Sequence, residues 1–468
     1  MVEKELPKKS IAFILLISLV LILTVGIYFK VDIQILLLIG LACTIFLILR
    51  MGYNFEEVLV EMRKGIERAF PALIIFLLIG TLIGSFVSGG VVPSIVYYGL
   101  KLINVKWFLP IGLIVCSMTS LATGTSWGTS GTVGVAFMAM GISLGIPAPI
   151  VAGMVVSGAF FGDKLSPLSD TTNLAAVSAG TSLYRHIKSM LYTTVPAYII
   201  SLVLYTIVGF KYSGSEAIDS NMVNTILNTL DKTFNINLFM LIPIIVVLFL
   251  SIKKVNSIIA LGIGTIFGVL FSVLFQGNNL GEALNVLNAG YVGHTGVEFV
   301  DTLLNRGGIQ SMMWTFSLSF IALSLGALLE GFGFLTVIIK GILVKVKSIG
   351  SLSVLVIGSC IFSNIVMGEI YLSIILNGSI YKKEFEERNL DPAMLSRYLE
   401  EGGTLTGALI PWSTAGAFVS GVLGVSALSY APFAFLNLIN PLVSIVFSYL
   451  GIAVLRKENK KEIGRITK

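Results

Sequence analysis

The sequence predicts an all-α polytopic membrane protein made of two inverted repeats, with re-entrant hairpins and broken helices, about ten full spans plus two hairpins. Three observations carry this. The first is composition: 468 residues, 55% hydrophobic and 12% charged, with mean hydropathy +0.94, against about 25% charged residues in a soluble domain. The second is that apolar runs are interrupted by polar, Gly-rich stretches at 122–132, 163–173, 363–369 and 400–404. Such gaps survive at membrane depth only where protein or a wet cavity satisfies the freed backbone groups. The third is internal similarity: FPALIIFLLIGTLIGSFVSGG resembles SMMWTFSLSFIALSLGALLEGFG, which places Gly84 over Gly326, Gly124 over Gly368 and, after a gap, Asp170 over Glu400. A repeat of about 140 residues is the economical reading.

Residues 1–54 hold two transmembrane helices, near 11–29 and 33–49. The first follows Lys8 and Lys9 but is longer than a signal peptide's apolar core and lacks a small-residue cleavage site. Residues 55–210 form the first repeat, with apolar segments at 69–88, 107–121, 133–145, 147–162 and 183–210. Residues 211–296 are a linker with two further helices, 236–251 and 255–277. The second repeat, 297–455, has segments at 311–330, 349–363, 370–381, 404–424 and 430–455, and 456–468 is a basic tail. With the N-terminus inside and each hairpin entering and leaving on one face, most of the 31 Lys and Arg residues face the cytoplasm, as the positive-inside rule requires. The first repeat then begins inside, after Arg63, Lys64 and Arg68, and the second begins outside, after Arg306. That inverts them. Both termini are placed in the cytoplasm, and the lipid bilayer is the partner that composition demands.

The net charge of +6 does not indicate nucleic acid, because the basic residues lie in short segments between apolar runs. Cys43, Cys116 and Cys360 are far apart in apolar stretches and propose no disulfide or metal site. Gly124, Thr125, Ser126, Trp127 and Gly128 spell the G-x-S-x-G of serine hydrolases, yet such a serine needs a base within reach. His186, read at a membrane boundary, and His294, in a polar segment, lie on no span that brings them to Ser126. The chain reads as no enzyme. The stretch instead supplies neutral oxygens, among them Thr125, Ser126 and Thr129, which suit a small hard cation.

GAFFGDKLSPLSDTTNLAA, residues 158–176, interrupts an apolar helix with Asp163, Asp170, Lys164 and a run including Thr171, Thr172 and Asn173. A charge at the bilayer centre costs at least ~2.5 to 3.5 kcal/mol, so these acids demand a function or a partner. Lys164 is the expected partner for one of them. In the other half, Glu369 sits beside Asn364, and Glu400 and Thr404 occupy the 400–404 gap, while Glu401 and Arg397 read as a solvated face. A carboxylate in a poorly polarisable pocket holds a proton more tightly, and a nearby cation displaces it. Na+ and H+ therefore compete, with Asp163, Asp170, Asn173 and Glu369 as the Na+ ligand candidates.

GTSWGTSGTVGVA and GAFFGDKLSPLSDTTNLAA, with LSRYLEEGGTLTGALIPW and SYAPFAFLNLINP, resemble the NhaC family of bacterial sodium/proton antiporters from about residue 60 to 455. The resemblance implies two hairpins and two unwound helices around a central site in the bacterial inner membrane, Na+ and H+ as transported ions with no cofactor, and a homodimer. The family is also similar to exchangers of organic acids such as malate and lactate, and a coupled exchanger of small carboxylates or amino acids would use the same site. That leaves organic-acid exchange as the alternative.

Overall fold

The computed structural model describes residues 6–102, 104–213, 220–253, 255–343, 346 and 348–456. The described residues are helical, without strands beyond an isolated Leu390–Arg456 bridge. Among them are 9 helices long and apolar enough to cross a membrane, or up to 11 if each of two sharply bent pairs counts as one span. The basic tail, apart from Arg456, lies outside the described residues.

The two halves repeat one order of elements. Each opens with a long helix, Phe55–Ser88 and Ile309–Gly331, which pack together. The first is closed at its N-terminus by a capping box between Asn54 and Glu57, and its 34 residues span about 50 Å, more than a bilayer core. A short helix follows in each half, Val91–Leu102 and Phe334–Leu343. Then come Val105–Thr123 and Ile349–Met367, each 19 residues and each ended by a left-handed glycine, Gly124 (φ 73°) and Gly368 (φ 66°). Glycine carries this conformation without a Cβ clash.

The chain doubles back at both glycines. Gly112 packs on Phe137, and Gly141 on Phe108, so the pairing is antiparallel about Gly124. In the second half, the Ser359 and Tyr381 hydroxyls share a hydrogen bond (2.6 Å), Ser373 donates to the Cys360 carbonyl (3.0 Å) and Asn377 to Ser363 (3.0 Å). That hairpin turns about Gly368.

Next in each half is a broken helix. Ala148–Leu165 stops, residues 166–169 run irregularly, and Asp170–Ala179 begins. In the second half, helical structure from Pro392 to Gly407 stops, and Thr414–Leu423 begins after an irregular 408–413. This corrects the expected fourth gap. Residues Glu400–Thr404 are not an interruption but one π-helical turn within a continuous helix; the extra residue is absorbed as a bulge, and Asn364 holds it by donating to the Gly403 carbonyl (2.6 Å). Asp170, first residue after the cap Ser169, therefore corresponds to Thr414 after the cap Ser413, and not to Glu400.

Each hairpin tip rests on the break of its own half. A Cβ on Gly124 would lie 2.6 Å from Leu168 Cβ, and Ser166 donates to the Leu121 carbonyl (2.8 Å). Likewise the Thr414 N–H donates to the Gly368 carbonyl (2.8 Å), and the Trp412 indole to that of Ile365 (2.6 Å). The approach is close because Gly158 and Gly162 face Val105–Thr123. A Cβ on Gly162 would lie 2.3 Å from the Ser117 carbonyl oxygen and 2.4 Å from the Leu121 nitrogen. Small residues four apart let the two backbones meet.

The outward surface of the N-terminal helices and of Leu183–Ser213 exposes Ile14, Ile17, Leu21, Ile199 and Val203, as lipid-facing helices require. The linker holds Ser257–Gln276 and, after a 91° bend from Asn224–Thr233, the apolar Leu238–Ile252.

Candidate functional site

The two tips and the two breaks converge on one chamber of about 650 Å³. Its wall takes Thr125, Ser126 and Trp127 from the first tip, Asp170 and Thr171 from the first break, Glu369 and Tyr371 from the second tip, and Thr414 from the second break. Asp163 and Thr404 complete it, and Arg68, Ser251 and Asn256 line the end at which it opens.

Helices starting at Ser126, Asp170, Ile370 and Thr414 all begin here, capped by Thr125, Ser169, Glu369 and Ser413. A helix start carries partial positive charge and unpaired N–H groups, so it favours nearby carboxylates. That is how one polar chamber in an apolar protein tolerates several acids.

The acids are served unequally. Asp170 Oδ1 accepts from the Thr171 N–H (2.9 Å) and Oδ2 from the Tyr371 hydroxyl (2.5 Å). Glu369 Oε1 accepts from the Tyr371 N–H (3.2 Å) and Oε2 from the Thr414 hydroxyl (2.6 Å). Every oxygen of this pair has a donor. Asp163, 4% exposed, accepts from Ser126 at Oδ2 (2.6 Å), while its Oδ1 has no hydrogen-bond partner among the described residues. Neither oxygen of Glu400 meets a donor in full hydrogen-bond geometry, although the Thr171 and Thr404 hydroxyls face it closely enough to donate, and the Thr129 hydroxyl has no partner among the described residues. Glu400 is fully buried in the π-turn, facing Thr171, Thr404, Asp163 and Lys164. Buried oxygens without donors are the arrangement that a cation completes. No group of three His, Cys, Asp or Glu converges among the described residues, so the oxygens on offer are carboxylates and neutral hydroxyls.

Of the residues singled out in the sequence, the structure brings Thr125, Ser126, Asp163, Asp170, Thr171, Glu369 and Thr404 to the chamber wall. Thr129 and Glu400 stand buried behind it. Three serve the framework. Thr172 donates to the Lys164 carbonyl (3.0 Å), Asn173 to that of Ser169 (2.6 Å), and Asn364 holds the π-turn. Asn173 does not line the chamber, and its amide is spent on the Ser169 carbonyl.

Other expectations change outright. Lys164 pairs with neither aspartate; its ammonium donates to Asn440 Oδ1 (2.8 Å) and lies 3.6 Å from Glu401 Oε1. Glu401 and Arg397 are not a solvated face but fully buried, Glu401 accepting from Thr193 (2.5 Å) and Arg397 donating to the Ser189 (3.4 Å) and Ala453 (3.2 Å) carbonyls. His186 is likewise buried, with Nδ1 at 2.7 Å from the Ser396 hydroxyl, and is no base for Ser126. Tyr371 and Thr414 were not foreseen. The signal for Tyr371 was its place two residues past Glu369, where a helix N-cap reaches back to the backbone N–H.

A family model described as the Na+/H+ antiporter family matches residues 158–452. The malate-2H(+)/Na(+)-lactate antiporter of Bacillus subtilis is 39% identical over 442 residues, covering 94% of this chain and 94% of the relative. The Na(+)/H(+) antiporter NhaC of Alkalihalophilus pseudofirmus is 38% identical, covering 88% of each chain. The arginine/ornithine antiporter ArcD of Halobacterium salinarum is 32% identical over 97% of this chain and 94% of its own.

Proposed function

The chain belongs to the Na+/H+ antiporter family, and on that premise we propose that it exchanges Na+ for H+ across the bacterial inner membrane through one carboxylate chamber reached from alternate sides. The observation that carries the reading is the pair of buried carboxylates with unpartnered oxygens, Asp163 and Glu400, with the Thr404 hydroxyl beside Glu400. A Na+ ion supplies what they lack, and protonation of a carboxylate supplies it equally, so the two cargoes exclude each other. The division into repeats 55–210 and 297–455, preceded by helices 1–54 and joined by 211–296, is supported by the matched hairpins and breaks. Their inverted orientation, with both termini cytoplasmic, rests on the distribution of Lys and Arg.

Organic-acid or amino-acid exchange is the second reading, favoured by the size of the chamber and by the cargoes for which two relatives are named. The charge of the wall argues against a free anion. Among the lining residues Arg68 is the basic one, and it is held at the mouth by Glu330 (2.7 Å). The test is purified protein in vesicles, with internal pH followed on adding Na+, K+, malate or lactate. Proton movement with Na+ alone, lost in Asp163→Asn, supports the proposal; a strict requirement for an organic acid replaces it with the second reading.

A further inference from the structure

We propose that Tyr371 is the coupling residue of the exchange cycle, a latch that ties the second hairpin tip to the first break while the chamber is charged and lets go when a cation or proton has neutralised it. The proposal rests on the exchange reading above. Three side-chain hydroxyls donate to the chamber's carboxylates: Ser126 to Asp163, Thr414 to Glu369 and Tyr371 to Asp170. The first joins the tip and broken helix of the first half, and the second does the same in the second half. Tyr371 alone of these donors crosses, from the second hairpin to the first break. Its backbone N–H also donates to Glu369 Oε1, so one residue touches a carboxylate of each half.

The chemistry gives the bond its direction. A phenol donates strongly to an ionised carboxylate and weakly to one that carries a proton or shares its oxygens with Na+. Asp170 Oδ1 accepts from the Thr171 N–H, which leaves Oδ2 facing the phenol. The charged groups facing this bond are Asp163 from Ala148–Leu165, Glu369 from the hairpin of Tyr371 itself, and Arg68 at the mouth. An empty chamber therefore keeps the latch shut. An empty carrier that switched sides with its carboxylates charged would waste the gradient, and the bond opposes that step.

The test is Tyr371→Phe, which keeps the ring and removes the donor, reconstituted beside the wild-type protein. Proton leak is recorded under a pH gradient without Na+ on either side, and protons moved per Na+ are recorded with Na+ present. The expected result is a Na+-independent leak raised about tenfold, fewer protons per Na+, and a half-saturating Na+ concentration changed less than about threefold. A residue that only packed the chamber would alter yield or affinity and leave the ratio intact. Unchanged leak and ratio in folded Tyr371→Phe overturn the proposal, and so does a folded variant inactive in every assay, because the hydroxyl would then be an ion ligand. Asp170→Asn provides a second reading, since its uncharged amide oxygen accepts only weakly from the phenol and resembles the neutralised carboxylate: it should leak as Tyr371→Phe does, and a folded Asp170→Asn without that leak overturns the latch. Absence of Na+-driven proton movement in the wild-type protein would instead remove the exchange reading itself.

Discussion

At the scale of single residues, the acids at depth were legible because lipid makes an unsupported charge costly. Asp163, Asp170 and Glu369 stood out against apolar surroundings and do line the chamber. Burial of Glu401 and Arg397 was not legible, since a Glu and an Arg four residues apart are the ordinary dress of a wet helix face. The partner that explains Glu401, Lys164, comes from the other half of the chain, Asn440 and Thr193 come from two further helices, and Arg397 is met by the Ser189 and Ala453 carbonyls. Only packing could reveal it. Removing one member of a buried pair strands the other charge and typically destabilises by about 3 to 5 kcal/mol, whereas replacing both is often neutral. Lys164→Met should therefore lose folded protein in detergent, and Lys164→Met combined with Glu401→Met should recover most of it, as measured by thermal unfolding followed by size-exclusion chromatography. A double variant no more stable than the single one would mean that the ion pair is not what holds these helices.

Elements were legible where glycine and capping chemistry mark them. Gly124 and Gly368 announced both hairpin turns, and the Ser-Pro-Leu-Ser stretch announced the first break. EEGG at 400–403 gave the wrong signal because two glycines after two acids read as a stop. Inside the fold those glycines accept neighbours: a Cβ on Gly402 would lie 2.7 Å from the Ile357 carbonyl oxygen, so the helix runs on and its bulge is tied down by Asn364. The break moved to 408–413, where Pro411 and Trp412 sit. Close approach also yields a prediction. Gly162→Val places carbon against backbone atoms of Ser117 and Leu121 that cannot step aside, and core overpacking costs about 1 to 3 kcal/mol or more. It should lower the melting temperature in detergent by several degrees, while Gly262→Ala, with nothing within 4 Å, leaves it unchanged. Equal melting temperatures for both would contradict the tight contact between the two helices.

For the whole molecule, the chamber takes its wall from both halves and from the linker. It meets Arg68, Ser251 and Asn256 on the open side. At the Trp127 wall, Trp127 stacks on Phe418 with ring centroids 4.4 Å apart, and Phe76 lies against both at 5.6 and 5.7 Å. The three rings come from the first long helix, the first hairpin and the half-helix after the second break. Sequence could not show this, because stacking joins residues hundreds of positions apart. On the proposed orientation, with both termini inside, the end of the chamber lined by Arg68 and Asn256 faces the cytoplasm. In a protein with Cys43→Ser, a membrane-impermeant thiol reagent should label Asn256→Cys and Thr123→Cys in inside-out vesicles and spare both in right-side-out ones. Labelling in the opposite pattern would reverse the orientation, and equal labelling from both sides would show that the chamber is reached from both.

The pairing of Arg68 with Glu330 at the rim has a consequence for how such a scaffold diversifies. A positive group that is tethered neither repels arriving cations nor gathers anions in the water at the doorway. A change at position 330 alone would untie it and reverse the local field without touching the ligands within, so a descendant could alter what it admits long before it rebuilt what it grips.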